Sequence, residues 1–393
     1  MNITIRSLQG EEMFNTLYTL NSYALHPSPP YQKRDEWMAV VRPRRGICCL
    51  AMFEDDTPVA VVASTPLTQN MRGKLYATSG IWGVSTAPAA RRKGYCRQLM
   101  GSLLSINRED GKCFSSLYPF RESFYERLGY VSYPLTKIAH FSTQSLFPLL
   151  KMDGSGEIRL QYIGEAYDSY RDYLKKMRFT RHGMAMFDYP DRARADQNLV
   201  WIASALFDGR IEGIMLYRTL GEEVTRYKFM ASRFYYQTGR ARYLLLNWIA
   251  QHVDQAEQVE IWLPEDEYPE NWLADLQVKA EIAERPAMSR VLDLENITGM
   301  QVGVGGFSAQ IIDSLCPWNE GKWRFESGDH QLQVSRAQDA DCELTIQGLS
   351  ALINGTINPQ DLSLRGWGNP TAGVQAIMGE MFPRMRPFMH EMF

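Results

Sequence analysis

Apolar positions in the first third of the chain change their period repeatedly, and each change marks an element. Helical spacing from residue 10 to residue 25 follows a first strand, and His26, Pro27, Ser28, Pro29 and Pro30 stop it. A second helix is expected over 31–41. The runs 48–54 and 58–66 read as a hairpin across Asp55, Asp56 and Thr57, and 75–86 as further strand. Leu99, Leu103 and Leu104 then continue an apolar helical face, with Ser102 and Asn107 expected on the polar side. Residues 112–118 read as a buried strand. The order β–α–α–β–β–β–α–β closes a first block near 141–150.

A second block follows the polar, glycine-bearing stretch Lys151, Met152, Asp153, Gly154, Ser155 and Gly156. It partly repeats the first, because 201–216 is another apolar hairpin, comparable with 49–56, and a helix opens over 238–249 at the equivalent place. The third block differs in character. Residues 322–326 and 331–336 alternate like half-exposed antiparallel strands about a turn at Ser327, Gly328 and Asp329. A strand at 342–346 and a helix over 350–355, ending in Gly355 as a cap, complete it. The expected domains are therefore 1–150, 151–288 and 289–393, in an α+β chain.

Composition narrows the function classes. The 393 residues, 45% hydrophobic and 22% charged, have ample core for two or three domains. A net charge of −3 argues against nucleic acid as main partner. No apolar run reaches the ~20 residues that span a bilayer, and the N-terminus lacks a signal-peptide pattern, so no membrane partner and a cytoplasmic address are expected. Six cysteines form no C-x-x-C pair and six histidines stand singly, so no metal site is expected.

The chemistry gathers at residues 84–100. A β-like segment there passes through Arg91, Arg92, Lys93 and Gly94 into a helix beginning near Tyr95. The first N–H groups of a helix lack intrahelical partners and carry partial positive charge, so an anion fits at that end. Gly94 lets the backbone approach phosphate oxygens, and the arginines can bind them bidentately. With no G-x-G-x-x-G and no G-x-x-x-x-G-K-[ST], neither a Rossmann nor a Walker loop is indicated.

Arg91-x-x-Gly94-x-Cys96 resembles the acetyl-CoA signature of the GNAT superfamily of N-acetyltransferases, whose pattern is Gln/Arg-x-x-Gly-x-Gly/Ala; the departure is Cys96. Phe124, Tyr125, Glu126, Arg127, Leu128, Gly129 and Tyr130 resemble the superfamily's FYxRxGY element. The second block looks like a duplicated, degenerate GNAT domain without that loop, and the third is similar to a sterol-carrier-protein-like α/β domain. Across essentially the whole chain this order resembles the Eis family, named for enhanced intracellular survival.

The resemblance implies an acetyl-CoA-dependent N-acetyltransferase acting on a small amine or polyamine, aminoglycosides included, by direct attack. It implies coenzyme contacts at Val84, Ser85, Thr86, Arg91, Arg92, Lys93, Gly94 and Tyr95. Tyr125 would be the general acid on the departing thiolate. The terminal carboxylate of Phe393 would be the base, with Glu391 as second candidate, and Trp37 and Glu391 would line the acceptor pocket. An α-carboxylate of ordinary pKa, about 3.5, matches a substrate ammonium poorly unless burial raises it, so orienting the amine or relaying through water is the other role open to it. Where antibiotic-modifying members carry an acid soon after the first helix, this chain has Tyr23, Ala24 and Leu25. A peptide lysine is the alternative acceptor, and a non-catalytic lipid- or protein-binding module the alternative function. The resemblance also implies a homo-oligomer, hexameric in the family.

Overall fold

A computed structural model describes residues 2–152, 155–197, 199–283 and 285–393; of the expected linker, Asp153 and Gly154 lie outside the described residues. The chain divides into two compact units. The first comprises Met1–Pro134, Arg178–Asp191 and Arg285–Phe393, the second Leu135–Met177 and Arg192–Glu284.

In chain order the first unit opens with β1 (Ile3–Ser7), α1 (Gly10–Ala24), α2 (Arg34–Val41), β2 (Cys48–Glu54), β3 (Thr57–Met71), β4 (Lys74–Thr86), α3 (Tyr95–Glu109), β5 (Phe114–Leu117), α4 (Glu122–Glu126) and β6 (Val131–Ser132). After β7 (Lys137–Ser142), β8 (Glu157–Tyr162) and α5 (Tyr167–Thr180), the strand β9 (Ala185–Phe187) belongs again to the first unit. The second continues with α6 (Arg192–Gln197), β10 (Trp201–Phe207), β11 (Arg210–Leu220), β12 (Tyr227–Tyr236), α7 (Gly239–Ala250), β13 (Ala256–Leu263) and β14 (Lys279–Ile282). The first unit closes with β15 (Met288–Val291), β16 (Gly306–Ile312), β17 (Gly321–Gly328), β18 (Gln331–Arg336), β19 (Cys342–Thr345), α8 (Ile346–Asn354) and α9 (Ala372–Met381).

The larger sheet of the first unit runs β1-β2-β3-β4-β5-β15-β6, with β9 on β3. Every pairing on it is antiparallel except β4 with β5, which α3 connects as a crossover. Strand β2 and residues 59–63 of β3 are apolar at nearly every position because both faces are covered. Leu50, Met52, Ala60 and Val62 pack under Leu99, Met100 and Leu103 of α3, while Cys49, Ala51, Val61 and Ala63 pack under Leu17, Trp37 and Met38 of α1 and α2. The polar side expected for α3 holds no Asn107. That residue is buried, and its Oδ1 accepts a hydrogen bond from Ser64 Oγ at 3.1 Å, so an amide takes an apolar position by finding a sheet hydroxyl.

The smaller sheet, β18-β17-β16-β19, shares one continuous core with the end of the larger one. Phe307, Phe325, Leu349, Met378 and Phe382 pack with Tyr76, Phe114 and Val291. The expected α+β class therefore holds.

The second unit is a seven-stranded sheet in the order β14-β7-β13-β12-β11-β10-β8. Its parallel pair is β12 with β13, joined through α7, whose Leu245, Leu246 and Ile249 cover Phe229, Ala231, Val259 and Ile261. The unit thus repeats the crossover that α3 makes in the first.

Candidate active site

Strands β4 and β5 pair from Thr78 with Phe114 to Ile81 with Leu117, and no further. Beyond Ile81, β4 runs on to Thr86 with its β5 side unpaired. A bulge sits in that free stretch, because the register against β3 slips between Val61 and Ala63 and places Gly83 and Val84 opposite Val62. Gly83 has φ +63° there, and a Cβ would stand 3.0 Å from the Asn21 amide. The result is a short edge of backbone donors and acceptors, Val84 and Thr86 half-exposed on it, at the mouth of a splay in the sheet. Ser85 is turned the other way, its hydroxyl donating to Asn21 Oδ1 at 2.6 Å.

The loop from β4 leads to the N-terminus of α3. Gly94 is its N-cap with φ +83°, no side chain caps the helix, and a Cβ at Gly94 would meet only Gln98 Nε2, at 4.0 Å. The first-turn N–H groups therefore face open space, the arrangement a pyrophosphate requires. Arg91 and Arg92 are exposed beside it, with Arg91 Nε donating to the Thr86 carbonyl at 3.3 Å. Lys93 and Tyr95 are engaged elsewhere. Both reach Glu54 Oε1 at 2.7 Å, and those bonds hold the Glu54 carboxyl below its ordinary pKa and push the lysine and phenol up. Their side chains brace the loop against β2.

Tyr125 lies in α4, buried in the cluster that holds Ile81, Leu117, Tyr95 and Leu99. Phe120, Phe124 and Tyr130 stand around it at 5.8, 5.1 and 6.2 Å between ring centres. Burial raises its pKa, with Cys96 the next cause, so the phenol is protonated at working pH. The Cys96 thiol is likewise pushed up to about 11 by burial and is no nucleophile at neutral pH.

The C-terminal tail ends on the opposite side of the last β4–β5 pair. Its path is fixed by hydrogen bonds: Pro383 accepts from Arg72 Nη2 at 2.9 Å, Met385 N–H donates to Gly355 at 3.0 Å, and Phe388 N–H donates to His182 at 2.9 Å. Arg72 and Gly73 form the two-residue turn between β3 and β4 with φ +49° and +82°. Buried Arg72 also donates to Leu352 and Ile353 at the end of α8, and burial lowers its pKa to about 10. His182 Nδ1 accepts from Arg72 N–H at 3.0 Å while Nε2 donates to Asn354 O at 3.0 Å, which fixes the neutral tautomer. Glu391 is half-buried, its carbonyl accepting from Tyr118 at 3.0 Å, and the Phe393 ring lies 5.7 Å from that of Tyr118.

Of the residues read from sequence, Val84 and Tyr125 pack on one cluster, which Tyr95 beside Gly94 also joins, and Phe393 and Glu391 lie at Gly80 of the β4–β5 pair and at Tyr118. Trp37 is buried among Leu17, Leu20 and Met38, its ring edge on Tyr18 at 5.6 Å. His26 is exposed and His390 buried, and among the described residues no cluster of three or more His, Cys, Asp or Glu could hold a metal ion. Sequence reading missed the segment around β9. Asp188 is bonded by the Thr68 hydroxyl; Tyr189 packs with Met389 and Phe393 of the tail, and burial first, then the charges of Asp191 and Glu391, raise its pKa. The one available signal was the apolar run from Met184 to Phe187, which has no partner strand nearby in the sequence.

The equivalent helix start in the second unit differs. Thr238 caps α7, its hydroxyl accepting from Ala241 N–H at 3.3 Å and donating to Glu212 at 2.7 Å. Glu212, paired also with Arg240 and held down to about 2, presents a carboxylate at that helix start.

Residues 4–132 match the model of the family described as acetyltransferase (GNAT) domain, and residues 303–390 that of the sterol carrier protein domain. No curated protein sequence matches the chain. Similar solved structures include a probable N-acyltransferase of unknown function from Enterococcus faecalis V583, at 19% identity and TM-score 0.86. A GCN5-related N-acetyltransferase from Anabaena variabilis ATCC 29413 follows at 16% and 0.83, and Eis1 from Mycobacterium abscessus at 16% and 0.81. Each aligns over 100% of both chains, which shows one fold shared end to end. Among the described residues no helix is long and apolar enough to cross a membrane.

Proposed function

For a chain whose residues 4–132 are a GNAT acetyltransferase domain and whose residues 303–390 are a sterol carrier protein domain, we propose transfer of acetyl from acetyl-CoA to a primary amine of a small polyamine, aminoglycosides included. The observation that carries this reading is the placement of Phe393 and Tyr125 on either side of the Ile81–Leu117 pair where the sheet splays.

Acetyl-CoA fits the residues present. The open N-terminus of α3 with Arg91 and Arg92 suits the pyrophosphate, and the free edge of β4 from Val84 to Thr86 offers backbone partners to an extended arm. The thioester supplies an activated acetyl group; the chain's groups handle charge and protons. A β4 backbone N–H at the bulge stabilises the carbonyl oxygen as negative charge develops. The new C–N bond forms as the C–S bond breaks, and Tyr125, kept neutral by burial, gives its proton to the departing sulfur. The carboxylate at Phe393 orients the acceptor and takes the proton from its nitrogen, directly or through water, with Glu391 as the second group.

A cationic acceptor is supported by the acids on this side: Glu391 and Asp191 act on Tyr189, whose ring shares a cluster with Tyr118. The lone amine of a peptide lysine would use this cluster less fully. We further propose action in the cytoplasm as a homo-oligomer.

Thiol release from acetyl-CoA with aminoglycosides, polyamines and lysine peptides tests the reading. Turnover is expected with the polyamines, and its loss is expected in Tyr125→Phe and in a chain extended by one residue past Phe393. Turnover unchanged in the extended chain moves the base to Glu391 or solvent, and no turnover with any amine leaves a binding module.

A further inference from the structure

The segment carrying Tyr125 is too short to hold itself in place. Helix α4 has five residues, and the chain beyond it turns back so that Leu128 and Tyr130 N–H both donate to the Tyr125 carbonyl, at 2.9 and 3.2 Å. A single helical turn has no stability of its own in water. Its position must be set by what packs on it.

Four groups from beyond residue 285 do so. Arg290 on β15 is fully buried and donates from Nη1 to the Leu128 carbonyl at 2.5 Å. Its Nη2 pairs with buried Asp313, which also accepts from Asn319 Nδ2 at 2.9 Å and from Cys316 N–H at 3.2 Å. Gly129, φ +92°, is pressed onto the guanidinium, and a Cβ there would stand 2.6 Å from Arg290 Nη1 and 2.9 Å from Ile346 Cγ2. On α8, Gln347 Nε2 donates to the Glu126 carbonyl at 2.8 Å, and Arg365 pairs with the Glu126 carboxylate at 2.9 Å.

Cohesion between the two sheets does not need these groups. Replacing a buried ion pair with apolar residues of like size is often neutral or stabilising, because both charges must be desolvated. What an apolar pair cannot supply is a directed donor to one carbonyl. The line Asn319, Asp313, Arg290, Leu128 delivers that donor to the residue that closes the Tyr125 turn, and Gln347 delivers a second one to the next residue after Tyr125.

We propose that Arg290 is a positioning residue for Tyr125, assisted by Gln347 and Arg365, so that the C-terminal region serves acetyl transfer by aiming the proton donor. This rests on the reading of Tyr125 as general acid. The test is a double-mutant cycle on kcat for thiol release, with acetyl-CoA affinity followed by calorimetry. Arg290→Lys keeps a cation facing Asp313 but loses the planar fork. Gln347→Ala with Arg365→Ala changes partly exposed side chains and leaves the core intact.

Both are expected to lower kcat by ~10-fold or more, since displacements near 1 Å at a reacting group cost as much as ~100-fold, with acetyl-CoA affinity retained. In a Tyr125→Phe background the same changes are expected to leave kcat within about two-fold, because the group they aim is gone. Losses that multiply in both backgrounds, or a loss in acetyl-CoA affinity in place of kcat, overturn the proposal. If Tyr125→Phe alone keeps full kcat, the acid reading fails first, and that single variant reveals it.

Discussion

The ring of Phe393 lies directly on Gly80. An ideal Cβ at position 80 would come within 2.8 Å of Phe393 Cδ2 and 2.9 Å of Leu67 Cδ1. Gly80 pairs with Ser116 in the last stretch of the β4–β5 ladder, and the residue after it, Ile81, makes the final pair before the sheet splays. The absent side chain therefore leaves the space that the end of the chain fills, at the point where the strands part.

This makes Gly80→Ala a probe of the tail. Position 80 has no positive φ, so alanine strains no backbone. Because residues 383–393 carry no regular structure, the Phe393 ring is what yields. The base proposed at Phe393 moves with it, and kcat is expected to fall by roughly 10- to 100-fold while acetyl-CoA binding persists. Unchanged turnover would mean that the terminus has no part in the chemistry.

The strands and helices were legible in the sequence where local pattern decides them. The hairpin about Asp55 and the helix after Gly94 stand as read, while the turn expected at Ser327 to Asp329 sits two residues later, at Asp329 and His330, because Ser327 and Gly328 still pair with Leu332 and Gln331. What the sequence could not show depends on long-range pairing. β9 joins β3 and β15 inserts between β5 and β6, from stretches far along the chain, since a four-residue apolar run names no partner. The proposed site could be read at Gly94, because a left-handed helix start demands glycine there, and at Tyr125 through its motif. It was not legible at Asp188, Tyr189 and His182, whose roles exist only once β9 is docked, nor at Lys93 and Tyr95, whose shared partner Glu54 lies some forty residues upstream.

The two cations of the coenzyme loop should behave differently. Arg91 is exposed at the open helix start, whereas Lys93 is committed to Glu54 at 2.7 Å. Arg91→Ala is expected to weaken acetyl-CoA binding by roughly 5-fold, an effect that shrinks as salt is raised. Lys93→Ala is expected to change affinity by less than about two-fold. Calorimetry at two salt concentrations separates them, and equal losses would show that Lys93 leaves Glu54 to meet phosphate.

His182 couples the tail to pH. Burial first, and the Arg72 charge second, hold its pKa down from 6.5 to about 4, so the folded chain keeps it neutral. Between these values the unfolded chain binds a proton that the native chain refuses. Stability is therefore full above about pH 6.5 and is lost progressively as pH falls toward 4, by on the order of 3 kcal/mol in total. Thermal unfolding followed from pH 7 to pH 4.5 should show this loss, and His182→Asn, less stable at pH 7, should show a flatter profile. A variant with the wild-type slope would assign the acid sensitivity to other groups.

The last expectation concerns how many coenzymes a chain takes. Both units place a helix after the central strand of a parallel crossover, so each could in principle hold a pyrophosphate at that helix start. In the first, Gly94 leaves the N–H groups uncapped and open. In the second, the Thr238 hydroxyl already satisfies Ala241 N–H, and Glu212 stands bonded to Thr238 and Arg240. With its pKa held to about 2 by those bonds, Glu212 stays anionic at any working pH and repels a phosphate from that helix start. The nearby cation is also committed, since Arg242 lies against the rings of Tyr236, Tyr243 and Trp272 at 5.3, 5.0 and 5.7 Å. Titration with acetyl-CoA is therefore expected to give one site per chain, weakened by Arg91→Ala and indifferent to Arg240→Ala. A second site, sensitive to Arg240→Ala, would show that the capped helix opens to admit an anion.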